Sequence, residues 1–361
     1  MSLQNEKRNI VLAGLVIGVV AALLVFFGNP ANMGFCIACF VRDTAGGIGL
    51  HRAGAVQYIR PEIIGIALGS FAMSFAKKEF SPRGGSAPIT RFVLGVFVMI
   101  GSLMFLGCPF RMVLRLGGGD LNAALGLAGF ACGIAVGVFF LNRGYSLKRS
   151  YSLPKAEGFA YPLAALGLLA LLLLAPEFIF FSEPGAGPGA KHAAVALSLG
   201  AGLLVGVLAQ RTRLCMVGGI RDVILFREFK LLAGFVAVFV GCIAMNLVLN
   251  GMGDAVYFKL GFAEQAVAHT DGLWNFLGML LVGFASALLG GCPLRQLVLA
   301  GEGSSDSVSA VLGLLVGAAF CHNFGLASSG AGPTANGKIA VLLGLAVVSL
   351  IACANTFRKD K

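Results

Sequence analysis

Long apolar runs alternate along the chain with short polar stretches that carry Pro and Gly. The runs approach the length that a helix rising ~1.5 Å per residue needs to cross ~30 Å of hydrocarbon. They predict ten spans at roughly 10–28, 61–76, 90–107, 121–141, 159–181, 192–209, 229–250, 273–290, 306–327 and 338–356. Segments such as Lys77–Pro88 and Ser182–Ala190 separate them, and the basic stretch Asn142–Gly158 divides the chain near its middle. The first run, Ile10–Phe27 behind Lys7 and Arg8, is too long for the apolar region of a secretory leader. No small-residue cleavage pattern follows it, so it reads as the first span.

Composition excludes a water-soluble fold. Hydrophobic residues make up 58% of the chain, charged residues 12%, and the mean hydropathy is +0.89. A soluble surface needs about twice that share of charge. The 52 glycines suit a lipid-embedded bundle, where small residues let helix backbones approach closely.

The net charge of +11 follows from 27 Lys and Arg against 16 Asp and Glu. With the amino terminus inside, ten spans also put the carboxyl terminus inside. Most of the basic residues then fall in cytoplasmic segments, including the terminal cluster Arg358, Lys359 and Lys361, as the positive-inside rule prefers. The expected location is a bacterial inner (plasma) membrane. No basic run interleaved with aromatics points to nucleic acid.

Two cysteine motifs occur twice. Cys36-Ile-Ala-Cys-Phe-Val-Arg42-Asp43 matches Cys215-Met-Val-Gly-Gly-Ile-Arg221-Asp222, with Cys, Arg and Asp at the same offsets. Gly107-Cys108-Pro109-Phe110-Arg111 matches Gly291-Cys292-Pro293-Leu294-Arg295, and each copy runs on through a Gly-rich stretch to Asp120 or Asp306. The second motif follows the first by 72 residues in one half and by 77 in the other. The spans then divide five and five. An odd number per repeat makes the second half enter the membrane from the opposite side, the inverted arrangement of many transporters. The expected fold is therefore an all-α polytopic membrane protein with two inverted-topology repeats of about five transmembrane helices each. Residues 1–158 form the core of the first repeat with four spans. Residues 159–191 add a span and a connection, and residues 192–361 form the second repeat. The four cysteine segments are too short and polar to span, so they read as re-entrant helices lining a path, the setting in which such backbone is tolerated at membrane depth.

In Gly-Cys-Pro-x-Arg the proline suits the first position of a short helix, where its missing N–H costs nothing. Cys108 and Cys292 would then be N-caps beside free amides and the positive end of the helix dipole, a setting that attracts anions. Arg111 and Arg295 would add charge at each mouth, the preceding glycines would let a ligand reach the backbone, and the two half-helices would face one another. A thiol offers a weak S–H donor and a polarizable sulfur, suited to soft sulfur or selenium in a ligand. The path residues are thus Cys36, Cys108, Cys215, Cys292, Cys39, Arg111 and Arg295. Cys39 has Gly218 in its place in the other copy, and is either a redox partner of Cys36 or an extra thiol. Cys132, Cys242, Cys321 and Cys353 read as packing residues, Arg42–Asp43 and Arg221–Asp222 as structural ion pairs, and His322 as a hydrogen-bonded helix histidine. Neither a zinc site nor a disulfide framework is indicated, since no second close cysteine pair accompanies Cys36 and Cys39.

These residues resemble the YeeE/YedE family of membrane transporters, whose thiosulfate-importing members carry cysteines in similar Gly-Cys-Pro motifs. The likeness covers nearly the whole chain, and Cys36-Ile-Ala-Cys39 places it closest to the YedE branch assigned to selenium transport. The resemblance implies a transporter rather than an enzyme, with no cofactor. It implies S–H contacts to a sulfur- or selenium-containing anion from Cys36, Cys108 and Cys292, and a small cytoplasmic sulfur-carrier protein of the TusA type as partner. Two other readings compete: a membrane thiol–disulfide oxidoreductase using Cys36 and Cys39, and a scaffold of a sulfur- or selenium-trafficking complex. No Gly-x-x-x-x-Gly-Lys motif supplies ATP-driven transport.

Overall fold

The computed structural model describes residues 3–252 and 255–356. Arg358, Lys359 and Lys361 of the charge argument lie outside the described residues. The fold is all-helical apart from a two-residue pairing of Arg83–Gly84 with Tyr151–Ser152. In chain order the first seven helices are α1 (Leu3–Phe26), α2 (Ile37–Gly47), α3 (Pro61–Ala76), α4 (Pro88–Phe105), α5 (Pro109–Gly117), α6 (Asn122–Asn142) and α7 (Lys155–Leu174). The remaining seven are α8 (Val195–Thr212), α9 (Met216–Phe226), α10 (Lys230–Asn250), α11 (Gly272–Leu289), α12 (Pro293–Gly301), α13 (Ser305–Asn323) and α14 (Ala335–Thr356).

Ten of these helices match the ten apolar runs and are long and apolar enough to cross a membrane. The chain is a multi-pass membrane protein with ten candidate spans. The other four, α2, α5, α9 and α12, have 11, 9, 11 and 9 residues, and each begins immediately after one of the four repeated cysteines. The fifth span differs most from its apolar run. It stops at Leu174 because Ala175 turns left-handed (φ 42°) and Pro176 cannot continue a helix. The apolar Phe178–Phe181 stretch that lengthened the run instead returns over the bundle, where the Phe180 amide donates to the Gly47 carbonyl.

The helices pack reciprocally. α1 lies on α10 and α3 on α8, while α4 lies on α13 and α6 on α11. Glycines allow these contacts. A Cβ at Gly202 or Gly206 of α8 would run into the carbonyl of Glu62 or Ile66 on α3, and one at Gly65 would meet the Leu199 carbonyl of α8. With no hydrophobic force between helices in lipid, such backbone approach supplies the packing energy. Gly206→Ala should therefore lower the unfolding midpoint of the detergent-solubilised protein by the equivalent of about 1–3 kcal/mol, the usual cost of overpacking. Gly200→Ala on the same helix, where a Cβ meets nothing within 4 Å, should leave it unchanged. Equal midpoints would mean that α3 and α8 are free to separate.

The core lies along α4 and α11. The segments Pro88–Gly117 and Gly272–Gly301 bury 78% and 83% of their most apolar window, against 22% for α7 and α14, which lie at the edge. The loops cross over as the helices do. The loop after α3 bridges from Arg83 to Ser304, the N-cap of α13, and the loop after α10 bridges from Gly261 to Asp120, just before α6.

Candidate functional site

Each short helix starts at a cysteine held in extended backbone. Cys36 (φ −148°) caps α2, its Sγ accepting from the Cys39 amide at 3.2 Å. Cys215 (φ −151°) caps α9 in the same way, accepting from the Gly218 amide at 3.3 Å. Cys108 and Cys292 are the N-caps of α5 and α12, with Pro109 and Pro293 at the first helical turn as their motif predicts. Their thiols make no cap hydrogen bond and turn to another cysteine. Cys36 Sγ lies 3.9 Å from Cys108 Sγ, and Cys215 Sγ lies 3.9 Å from Cys292 Sγ.

The thiol contacts thus join the two motifs of each half. One pair brings the N-termini of α2 and α5 together, the other those of α9 and α12. Both pairs are buried, with Cys215 the most accessible of the four at 7%. Two positive helix dipole ends converge on each pair, a setting that attracts an anion. α2 of the first pair also touches α12 of the second.

The two turns before the Gly-Cys-Pro cysteines differ. Gly290 adopts the left-handed conformation (φ 89°), which glycine does without strain, whereas its counterpart Leu106 is held at φ 60°. Arg111 supports that strained turn. Its Nη1 donates to the Leu106 carbonyl, and the same guanidinium donates to the carbonyls of Asn32 (3.1 Å), Val267 (3.3 Å) and Ala266 (3.3 Å). It therefore ties the loop after α1 and the loop before α11 over the first thiol pair. Arg295 lies at the same motif position but forms one ion pair, 3.2 Å from Glu302 at the end of α12. The glycines before the cysteines make room for these arginines. A Cβ at Gly107 would lie 3.1 Å from Arg111 Cδ, and one at Gly291 would lie 3.0 Å from Arg295 Cγ.

Cys39 is fully buried one turn into α2, with the charges of Arg42 and Arg111 acting on its thiol. Both Arg–Asp pairs form, at 2.7 Å for Arg42–Asp43 and 2.8 Å for Arg221–Asp222. The first is buried and has a member that the sequence reading did not include. Arg60, from the loop before α3, also binds Asp43 at 2.7 Å. Only the fold-back of residues 48–60 brings it there, and no motif spacing signals it. A second buried pair outside the sequence reading, Arg115–Asp120 at 2.6 Å, closes the end of α5. Of the cysteines read as packing residues, Cys132 and Cys353 are exposed on helix surfaces, and Cys321 and Cys242 are buried. Cys242 also lines a cavity.

That cavity, about 140 Å³, is lined by Asn32 and Gly34 from the loop before Cys36 and by Leu114 and Gly118 from the far end of α5. A cavity of about 400 Å³ is lined by Gln210, Arg211, Thr212 and Arg213, the residues that closely precede Cys215 in sequence. Glu79 borders the latter. A hydrogen bond from Gln210, with Arg211 beside it, holds its carboxyl below the usual range. Among the described residues no cluster of His, Cys, Asp and Glu is placed to hold a metal ion.

Residues 211–356, which include Cys215, Cys292 and helices α9 to α14, match the protein family described as Sulphur transport. The C-terminal half of the chain carries a domain of that family. No curated protein matches the chain.

Proposed function

We propose that this chain imports a small sulfur- or selenium-containing anion across the inner membrane, passing it between two buried thiol pairs. The observation that carries the proposal is the pairing itself. Cys36 meets Cys108 and Cys215 meets Cys292, both at 3.9 Å and both where two helix N-termini converge. Dipole ends attract the anion and polarizable thiols contact its soft atom, while neutral S–H groups avoid the repulsion that a thiolate would exert. The sulphur transport match over the second pair supports a sulfur compound as cargo.

On this reading the halves are inverted-topology repeats. Reciprocal packing of α1 on α10 and α3 on α8, and equal lengths of the paired short helices, support that arrangement. The first pair would open to the outside and the second to the cytoplasm, with both termini inside. The polar cavity before Cys215 would then be the exit, where a TusA-type carrier could receive the cargo. Cys36-Ile-Ala-Cys39 favours the selenium branch of the YeeE/YedE resemblance.

The test is uptake of labelled thiosulfate and selenite by cells that carry or lack the protein. Protein-dependent entry of either anion is expected, and Cys39→Ser should keep much of it because Cys36 already has a thiol neighbour in Cys108. Complete loss in Cys39→Ser, with no protein-dependent entry of any anion, would instead favour the thiol–disulfide enzyme.

A further inference from the structure

We propose that the protein holds a second anion site, an antechamber near the first thiol pair that binds a small oxyanion through Arg42 and His322. It rests on the transport reading only for the anion's onward route.

The chamber has a volume of about 440 Å³, inside the ~300–1,000 Å³ range of small-molecule sites. Loops from four parts of the chain enclose it. Ala53 and Val56 come from the loop after α2, Pro188 from the segment before α8, Val267 from the loop before α11, and Ala327 to Gly330 from the loop after α13. Leu106 completes the floor. It is two residues before Cys108, and Arg111 binds its carbonyl and that of Val267. Leu106 thus links the chamber floor to the turn that leads into Cys108.

Charge identifies the ligand class. Arg42, His322, Ser328 and Ser329 are the polar lining residues, and no carboxylate is among them. Asp43 lies behind Arg42 but is shared by two guanidiniums, since Arg42 and Arg60 both bind it at 2.7 Å. Two cations on one carboxylate leave one positive charge uncompensated in a buried setting, where it acts more strongly than in water. Arg42 directs that charge into the chamber. Its Nε and Nη2 both donate to Asp43 Oδ1, and its Nη1 has no partner among the described residues. The second donor is His322. Its ring centroid lies 4.6 Å from that of His51, the two rings tilted by 31°, and His51 is itself fixed by a 3.0 Å hydrogen bond to the Arg42 carbonyl. The sequence reading of His322 as a hydrogen-bonded helix histidine is not met: its buried Nε2 has no hydrogen-bond partner. A buried polar nitrogen left unpaired costs free energy, and a ligand oxygen would recover it once the His322 ring turns that edge toward the chamber it lines.

Among the described residues the charge arrangement at Arg42 is not repeated in the second half. Arg221, the counterpart of Arg42, is part-exposed, and no second guanidinium shares Asp222 among the described residues. Cys39, which also lacks a counterpart, lies one turn before Arg42 and feels its charge. The features found in one half only thus gather at one place.

The test uses the full chain in proteoliposomes and in detergent, with thiosulfate as probe. His322→Ala should raise KM for thiosulfate uptake about tenfold with little change in maximal rate, the size expected for one lost hydrogen bond to an anion. His322→Gln, whose amide N–H reaches the position of Nε2, should restore most of the affinity, and unfolding midpoints for both variants exclude a folding defect. Calorimetric titration separates the chamber from the thiols: Cys108→Ser should lose transport yet keep thiosulfate binding. An unchanged KM in His322→Ala, or loss of binding in Cys108→Ser, would overturn the chamber while leaving the thiol relay in place. If the wild-type chain moves no anion but binds thiosulfate in a His322-dependent way, the chamber stands and the transport reading fails.

Discussion

Cys36→Ser, Cys108→Ser and Cys292→Ser are each expected to cut anion uptake at least tenfold with normal amounts of protein in the membrane. Serine is close to cysteine in size, so the expectation rests on chemistry and not on space. Each thiol lies 3.9 Å from its neighbour at a buried meeting of helix N-termini, where a passing anion must exchange water for protein contacts. A hydroxyl holds water more tightly than a thiol and lacks the polarizable sulfur. A tenfold loss is about 1.4 kcal/mol per site, within the range of one or two weak contacts in a dry constriction. Cys215→Ser should behave like Cys292→Ser because their sulfurs share one pair. Cys132→Ser and Cys353→Ser serve as controls, since both residues are exposed away from the pairs. Uptake that is equal across all these variants would reduce the cysteines to packing residues and end the relay.

Charge reversal at the two motif arginines should separate them. Arg111→Glu should abolish uptake and also lower the unfolding midpoint, whereas Arg295→Glu should cut uptake with a smaller loss of stability. Arg111 is wholly buried and donates to four carbonyls from three stretches of chain, among them that of the strained Leu106. A glutamate there would bring negative charge to carbonyl oxygens and leave them unpaired, a change that removes a buried charged partner and costs about 3–5 kcal/mol. Among the described residues Arg295 pairs with Glu302, both part-buried, and its turn is formed by a glycine. Reversal there sets two carboxylates together at the surface, where solvent screens them. Uptake and thermal unfolding of both purified variants decide the matter. If Arg295→Glu unfolds as readily as Arg111→Glu, the clamp on the first pair is not what distinguishes the halves.

The apolar runs by themselves determined ten spans, because a helix in lipid must satisfy its own backbone and so announces its length in sequence. The four cysteine segments were legible as short helices for an equally local reason. Pro109 and Pro293 can start a helix but cannot continue one, and Cys36 and Cys215 are followed by residues whose amides they cap. The internal correspondence of Cys36 with Cys215 and of Cys108 with Cys292 was legible too. The partners of the thiols were not. Joining Cys36 to Cys108 spans 72 residues and joining Cys215 to Cys292 spans 77, and those contacts depend on how whole helices pack. The roles of the motif arginines were equally hidden. Arg111 and Arg295 occupy the same motif position, yet a loop from the other half covers the first with carbonyls, whereas the second pairs with the glutamate that caps the end of its own helix. Arg60 reached Asp43 through a loop fold-back that no spacing records. Local sequence sets which backbone a residue can adopt, whereas the charge a buried residue finally faces is set by distant segments, and only the tertiary structure brings those together.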